Sequence, residues 1–124
     1  MARILVVDDE PDIVRFVVKI LEARGHDLMT AGDGPTAIAT AKTEQPDVVV
    51  LDLNLPRMDG FEVCRQLKTE SATRHIPVVM MSAAYVSLED ARRGEQNGAD
   101  EYVIKPFLRE VLVHNVERLL NRIR

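Results

Sequence analysis

Two adjacent aspartates, Asp8 and Asp9, follow the apolar run Ile4 to Val7, and Glu10 makes a third acid in the row. Asp52 closes a second apolar run and precedes Leu53 and Asn54, Ser82 closes a third, and Lys105, backed by Pro106 and Phe107, closes a fourth. Taken singly, each has an ordinary structural explanation. Acids suit the first turn of a helix because of its dipole, serine suits a turn, and an isolated lysine is solvated. Brought together, they would do chemistry. Crowded carboxylates repel, so a cluster of Asp8, Asp9 and Asp52 implies a cation, and hard oxygen ligands suit Mg²⁺ better than zinc or copper. Mg²⁺ beside the Lys105 ammonium would attract an anion with tetrahedral oxygens, and a phosphoryl group is the natural candidate.

The elements that must carry these residues follow from periodicity. Short β-branched runs alternate with longer helical patterns, giving strands at Arg3 to Val7, Asp27 to Ala31, Asp47 to Leu51, Pro77 to Met81 and Glu101 to Ile104. Helices begin near Pro11, Pro35, Gly60 and Leu88, and a fifth runs from Arg109 to the C-terminus. The runs ILVV, VVVL and VVMM are apolar without alternation, which requires both faces of those strands to be covered. The fold class is therefore α/β, a parallel sheet sandwiched by helices. In such sheets ligands collect beyond the carboxyl ends of the strands, where the acids, Ser82 and Lys105 all stand.

In the first helix, Ile13, Phe16, Val17, Ile20 and Leu21 form the buried stripe, while Val14 and Val18 flank it as an apolar strip that either widens the core face or docks a partner helix. The fourth helix has Gly94 in its interior and few large apolar anchors beyond Leu88, which predicts the least stable helix of the set.

The whole chain, 124 residues with 46% apolar and 29% charged side chains, reads as one soluble globular domain. No apolar run is long enough to span a membrane, and the acidic turn at Asp8 to Glu10 is unlike a signal peptide, so a cytoplasmic location is expected. Cys64 is the single cysteine and permits no internal disulfide; it reads as a small buried hydrophobe, and the five methionines as core filler. A net charge of -4 argues against direct nucleic-acid binding. His26, His75 and His114 lie outside the acidic set and read as surface or structural residues.

Four stretches in this order, VVDDEP, VVVLDLNLPRMDG, IPVVMMSA and NGADEYVIKPF, resemble the response-regulator receiver domain of two-component signalling, and the resemblance covers essentially residues 1–124. It implies a flavodoxin-like, doubly wound sheet of five parallel strands in the order 2-1-3-4-5 with five helices. It further implies that Asp52 accepts a phosphoryl group from a histidine kinase or a histidine-containing phosphotransfer protein. Asp8, Asp9, Asp52 and the backbone carbonyl of Asn54 would hold Mg²⁺. Ser82 and Lys105 would contact the phosphoryl oxygens, and Ser82 with Tyr102 would form the switch. The Lys105-Pro106 peptide bond would be cis.

The resemblance also places Asn54 and Ala84 at the water approach to the acyl phosphate, and Ile13, Val14, Val18, Pro56 and Phe107 where a kinase would dock. Phosphorylation would reshape the surface of the fourth helix, fifth strand and fifth helix toward a downstream output protein or domain. The chain would be a monomer or a phosphorylation-linked dimer, and would catalyse only its own phosphorylation and slow dephosphorylation. Two other classes stay open at this stage. A Mg²⁺-dependent phosphohydrolase with an aspartyl-phosphate intermediate would want a second acid near the nucleophile, where Asn54 stands. A non-phosphorylated adaptor would not need the intact set Asp8, Asp9, Asp52, Ser82 and Lys105.

Overall fold

The computed structural model describes residues 2–82, 92, 96, 98–105 and 107–123. Five parallel strands, β1 (Arg3–Val7), β2 (Asp27–Ala31), β3 (Val48–Asp52), β4 (Val78–Ser82) and β5 (Glu101–Ile104), pair in the order β2-β1-β3-β4-β5. Among the described residues the helices are α1 (Pro11–Glu22), α2 (Gly34–Glu44), α3 (Gly60–Thr69) and α4 (Arg109–Ile123), so α4 is the fifth helix of the sequence reading. The helix expected from Leu88, with Gly94, lies outside the described residues, as do Ala84 and Pro106. Two strands, β3 and β4, start and end one residue later than the expected Asp47 to Leu51 and Pro77 to Met81, and so carry Asp52 and Ser82 within the ladder.

Every residue of β3 and β4 is buried, as the unbroken apolar runs require, and the two faces of the sheet make two cores. On one face Leu5, Val7, Val49, Leu51, Val78 and Met80 pack beneath α2 and α3 through Ala37, Ile38, Val63 and Leu67. On the other Ile4, Val6, Val50, Val79, Met81 and Val103 pack beneath α1 and α4 through Val17, Leu21, Leu112 and Val116. Each fully buried Leu, Val or Ile contributes roughly 1.5–3 kcal/mol, so these two layers supply most of the driving force. Cys64 is buried in the first of them, and burial pushes its thiol up to about 12, which leaves it unreactive at neutral pH.

The helix starts are set by short-range signals. Pro11 opens α1 with its fixed φ and dispensable N–H. The Asp33 carboxylate accepts from the Thr36 N–H at 2.8 Å at the start of α2, and the Asp59 carboxylate accepts from the Glu62 N–H at 2.9 Å at the start of α3.

One expectation is corrected in α1. Val17, Ile20 and Leu21 are buried, but Ile13 is only half-buried and Phe16 is 46% exposed. The first turns of α1 lie at the strand ends, where less sheet stands beneath them, so burial grows along the helix toward its C-terminus. Val14 and Val18 are half-buried, and Val18 also packs against the edge of the core.

The entry to β5 is clamped. The Lys68 ammonium donates to the Ile76 carbonyl at 2.7 Å and pairs with the Asp100 carboxylate at 3.0 Å, which also accepts from the Val78 N–H. Gly98, at φ +93°, packs on the stem of that lysine, and a Cβ there would lie 2.6 Å from Lys68 Cγ. Gly98→Ala therefore meets both backbone strain and a pinned neighbour, and should cost roughly 1–3 kcal/mol. The denaturant midpoint should fall at unchanged slope, and a midpoint equal to wild type would remove this account of the clamp.

Candidate functional site

The parallel register brings the chemistry-bearing residues to one edge. Val7 is level with Leu51 between β1 and β3, so Asp8 and Asp52, each one residue further on, stand side by side. Asp52 is level with Met81 and Ser82 with Ile104, which sets Ser82 and Lys105 one step beyond on the neighbouring strands. Asp8, Asp52 and Ser82 are 2%, 2% and 4% exposed, whereas Asp9 is open to solvent.

Lys105 joins the two buried acids. Its ammonium donates to Asp8 Oδ2 at 2.8 Å and to Asp52 Oδ1 at 3.1 Å. The other Asp8 oxygen accepts from the Glu10 N–H at 2.9 Å, which holds the turn into α1. Burial, reinforced by the charge of Asp8, pushes the Asp52 acid up to about 6, against the pull of Lys105 and the hydrogen bond from the Asn54 backbone. For Lys105, burial acts against the charged form, but the hydrogen bond to Asp8 and the charge of Asp52 outweigh it, and its pKa lies above the usual lysine value. The site is thus short of positive charge even with its own lysine in place.

That shortage is the test of whether a metal fits. Asp8, Asp9 and Asp52 each offer a carboxylate oxygen within 4.8 Å of the others, with Asp9 on the solvent side, so the three suit one hard divalent cation with positions left for water. Asn54 is exposed in the loop after β3, and its backbone N–H is the one that hydrogen-bonds the Asp52 carboxylate. Tyr102 is half-buried on β5 against the core beneath α2 and α3, level with Met80. Of the remaining residues singled out, Pro56 is exposed and His75 and His114 lie on the surface. His26 is a structural residue at the opposite edge of the sheet, taking the Ala2 N–H on Nδ1 and facing Glu117, which also pairs with Arg24.

Two features of this edge escaped the sequence reading. Phe16 and Phe107 approach with ring centroids 5.8 Å apart, joining α1 to the turn after β5. The sequence pattern puts Phe16 in the buried stripe and gives Phe107 a docking role without pairing the two; a phenylalanine at the edge of the stripe, in the first turns beside the strand ends, is the available signal. In the loop after β3 the Met58 N–H donates to the Pro56 carbonyl at 2.8 Å across Arg57, whose φ of 69° makes a tight three-residue turn. Only the proline hinted at it.

An α/β sheet of this strand order, with an acid cluster and a lysine at the carboxyl edge, defines a receiver-type fold. Residues 4–117 match the model of the response regulator receiver domain, and the chain belongs to that family. It is 43% identical over 122 residues to the DNA-binding dual master transcriptional regulator RpaA of Synechocystis sp., covering 98% of this chain and 50% of that protein. It is 42% identical to the alkaline phosphatase synthesis transcriptional regulatory protein PhoP of Bacillus subtilis, covering 97% of this chain and 49% of that protein. The chain thus spans about half the length of these curated relatives. The solved structure of the chemotaxis response regulator CheY4 of Vibrio cholerae superposes with a TM-score of 0.89 at 34% identity, covering 96% of this chain and 98% of that one. The family places the chain in two-component signal transduction. Among the described residues no helix is long and apolar enough to cross a membrane.

Proposed function

We propose that the chain acts as one phosphoacceptor unit over residues 1–124, taking a phosphoryl group onto Asp52 from a phosphorylated histidine of a kinase or phosphotransfer protein. The observation that carries this reading is the Lys105 ammonium held between Asp8 and Asp52 beside the solvent-facing Asp9. Asp8, Asp9, Asp52 and the Asn54 carbonyl would hold Mg²⁺, which when bound supplies the positive charge that lets a carboxylate approach an anionic phosphoryl group.

A carboxylate oxygen of Asp52 attacks phosphorus as the bond to the donor nitrogen breaks, and the imidazole leaves with that electron pair. Catalysis here is mainly positioning. Lys105 turns from the two carboxylates to the new phosphoryl oxygens, and Ser82 donates its hydroxyl to another. The acyl phosphate adds roughly 1.5–2 negative charges, so both side chains are drawn toward Asp52 and Tyr102 follows into the space behind Ser82. The surface built on β5 and α4 then changes for an output partner. Swinging a switch from 1:99 to 99:1 would need about 5.5 kcal/mol, so a few new charged contacts shift the population in part. A kinase would dock on the ridge of Ile13, Val14, Val18, Pro56 and Phe107, with Phe16 added to it. The acidic net charge supports protein partners over nucleic acid for this unit.

Incubation with Mg²⁺ and a small phosphodonor, followed by intact-mass measurement, is the test. A single stable phosphoryl adduct that chelator prevents supports the reading. Donor turnover with no adduct would make the chain a phosphohydrolase, and neither would make it an adaptor.

The resemblance would put Asn54 and Ala84 beside the approach of water to phosphorus, which would set the adduct's lifetime. An alanine methyl cannot orient water, so loss should be slow. Ala84→Glu should speed first-order loss by roughly several-fold to tenfold, short of the ~10²-fold lower end for general-base catalysis, because the new group positions water more than it deprotonates it. A mutant adduct as long-lived as wild type's, with Mg²⁺ saturating in both, would remove position 84 from control of the lifetime.

A further inference from the structure

The neck of the loop after β3 carries a contact that the chemistry above does not use. Gly60 opens α3, and its N–H, which has no partner within the helix, donates to the Leu53 carbonyl at 2.7 Å. Its Cα lies so close to the strand end that a Cβ would stand 2.5 Å from the Asp52 carbonyl oxygen and 2.7 Å from Leu53 Cα. Both neighbours are backbone atoms, so no flexible side chain can give way. The Gly60 backbone lies outside the left-handed region, and glycine is a poorer helix former than alanine, so neither conformation nor helix propensity calls for glycine here. Only the close approach does.

We infer that Gly60 is a positioning residue for phosphoryl transfer: it seats the first turn of α3 directly on the backbone of Asp52 and so fixes where that carboxylate stands against Asp8 and Lys105. The inference rests on the proposal that Asp52 is the acceptor. A Cβ at position 60 must move the strand end and α3 apart by about 1 Å to restore ordinary contact with the Asp52 oxygen. A displacement of that size at a reacting group slows chemistry by up to ~10²-fold. The Asp52 to Lys105 contact, at 3.1 Å, would lengthen with it.

The experiment compares wild type, Gly60→Ala and Gly32→Ala for rate of adduct formation per folded molecule, with phosphoramidate as donor and Mg²⁺ saturating. Calorimetric Mg²⁺ affinity and melting temperature are measured alongside. Gly32 is the matched control, since a Cβ there meets nothing within 4 Å. Gly60→Ala should slow the per-molecule rate by roughly tenfold to a hundredfold and weaken Mg²⁺ binding, with Gly32→Ala at the wild-type rate. A role confined to folding would lower the melting temperature of Gly60→Ala and leave its per-molecule rate unchanged, and that result overturns the inference.

If Gly60→Ala gives no cooperative melt, Asp59→Ala carries the test, because it loosens the same turn by removing the acceptor for the Glu62 N–H and adds no volume. Its rate should fall several-fold and return in Asp59→Asn, which keeps an acceptor oxygen; a wild-type rate in Asp59→Ala overturns the inference. No adduct on wild type would instead mark the failure of the acceptor assignment.

Discussion

Asp52→Asn should form no phosphoryl adduct under conditions that phosphorylate the wild-type chain to completion. Asp8 and Asp52 are both buried and both within reach of Lys105, but the family resemblance puts the acceptor role on Asp52, and the amide that replaces it is not a nucleophile toward phosphorus. Intact-mass spectra of the two proteins, treated side by side, make the measurement. An adduct of equal yield on Asp52→Asn, or on wild type in excess chelator, would move the acceptor elsewhere.

The same substitution should raise stability in the absence of metal. Burial and Asp8 hold the Asp52 acid at about 6, above its usual value. A raised carboxyl pKa means that the fold prefers the protonated form. Its stabilising contribution is complete below the usual carboxylate value and is lost as pH rises through about 6. Above that pH, in chelator, Asp52→Asn should melt higher than wild type, and the gap should close toward acid. A variant that melts lower at pH 8 in chelator would show that the acid is not repelled in the fold.

The strands and the carboxyl-edge site were legible because both are written in local pattern. Unalternated runs such as Val48 to Leu51 can only be strands covered on both faces, and every one of those residues is fully buried. Once the strands are parallel, Asp8, Asp52, Ser82 and Lys105 must share an edge, because each follows its run by the same step. What pattern could not reveal depends on tertiary distance. Phe16 satisfies the helical spacing of the buried stripe, yet it lies where α1 has passed the end of the sheet, and its partner Phe107 is remote in sequence. Gly60 reads from sequence only as the start of a helix after Asp59; the closeness of the Asp52 backbone is visible only when β3 and α3 are both in place. The Lys105 to Asp8 ion pair, spanning 97 positions, escaped for the same reason, since the sequence reading aimed that lysine at the phosphoryl group alone.

Lys105→Met should destabilise the metal-free protein far more than the Mg²⁺-loaded one. Without metal, Asp8 and Asp52 share the Lys105 ammonium as their buried counter-charge, and both side chains are almost wholly excluded from water. Removing one partner of a buried ionic cluster strands the others, a loss typically of about 3–5 kcal/mol. Methionine fills the volume of the lysine stem, so packing is kept and the loss is electrostatic. In chelator the variant should therefore melt well below wild type.

Mg²⁺ should recover most of that deficit, because the cation then meets two acids with no ammonium between them, and any ligand that binds only the folded state stabilises by its own affinity. Calorimetric Mg²⁺ affinity should be tighter in Lys105→Met, and the rise in melting temperature on adding Mg²⁺ larger. Phosphoryl transfer should nonetheless slow, by up to ~10²–10³-fold, since a cation aimed at developing phosphoryl charge is gone and the metal does not replace it there. Melting curves with chelator and with Mg²⁺, paired with the rate of adduct formation at saturating Mg²⁺, separate the two effects. Equal Mg²⁺-induced shifts in variant and wild type would mean that Lys105 does not hold the acids in the metal-free fold, and an unchanged rate would mean that it does not reach the phosphoryl group.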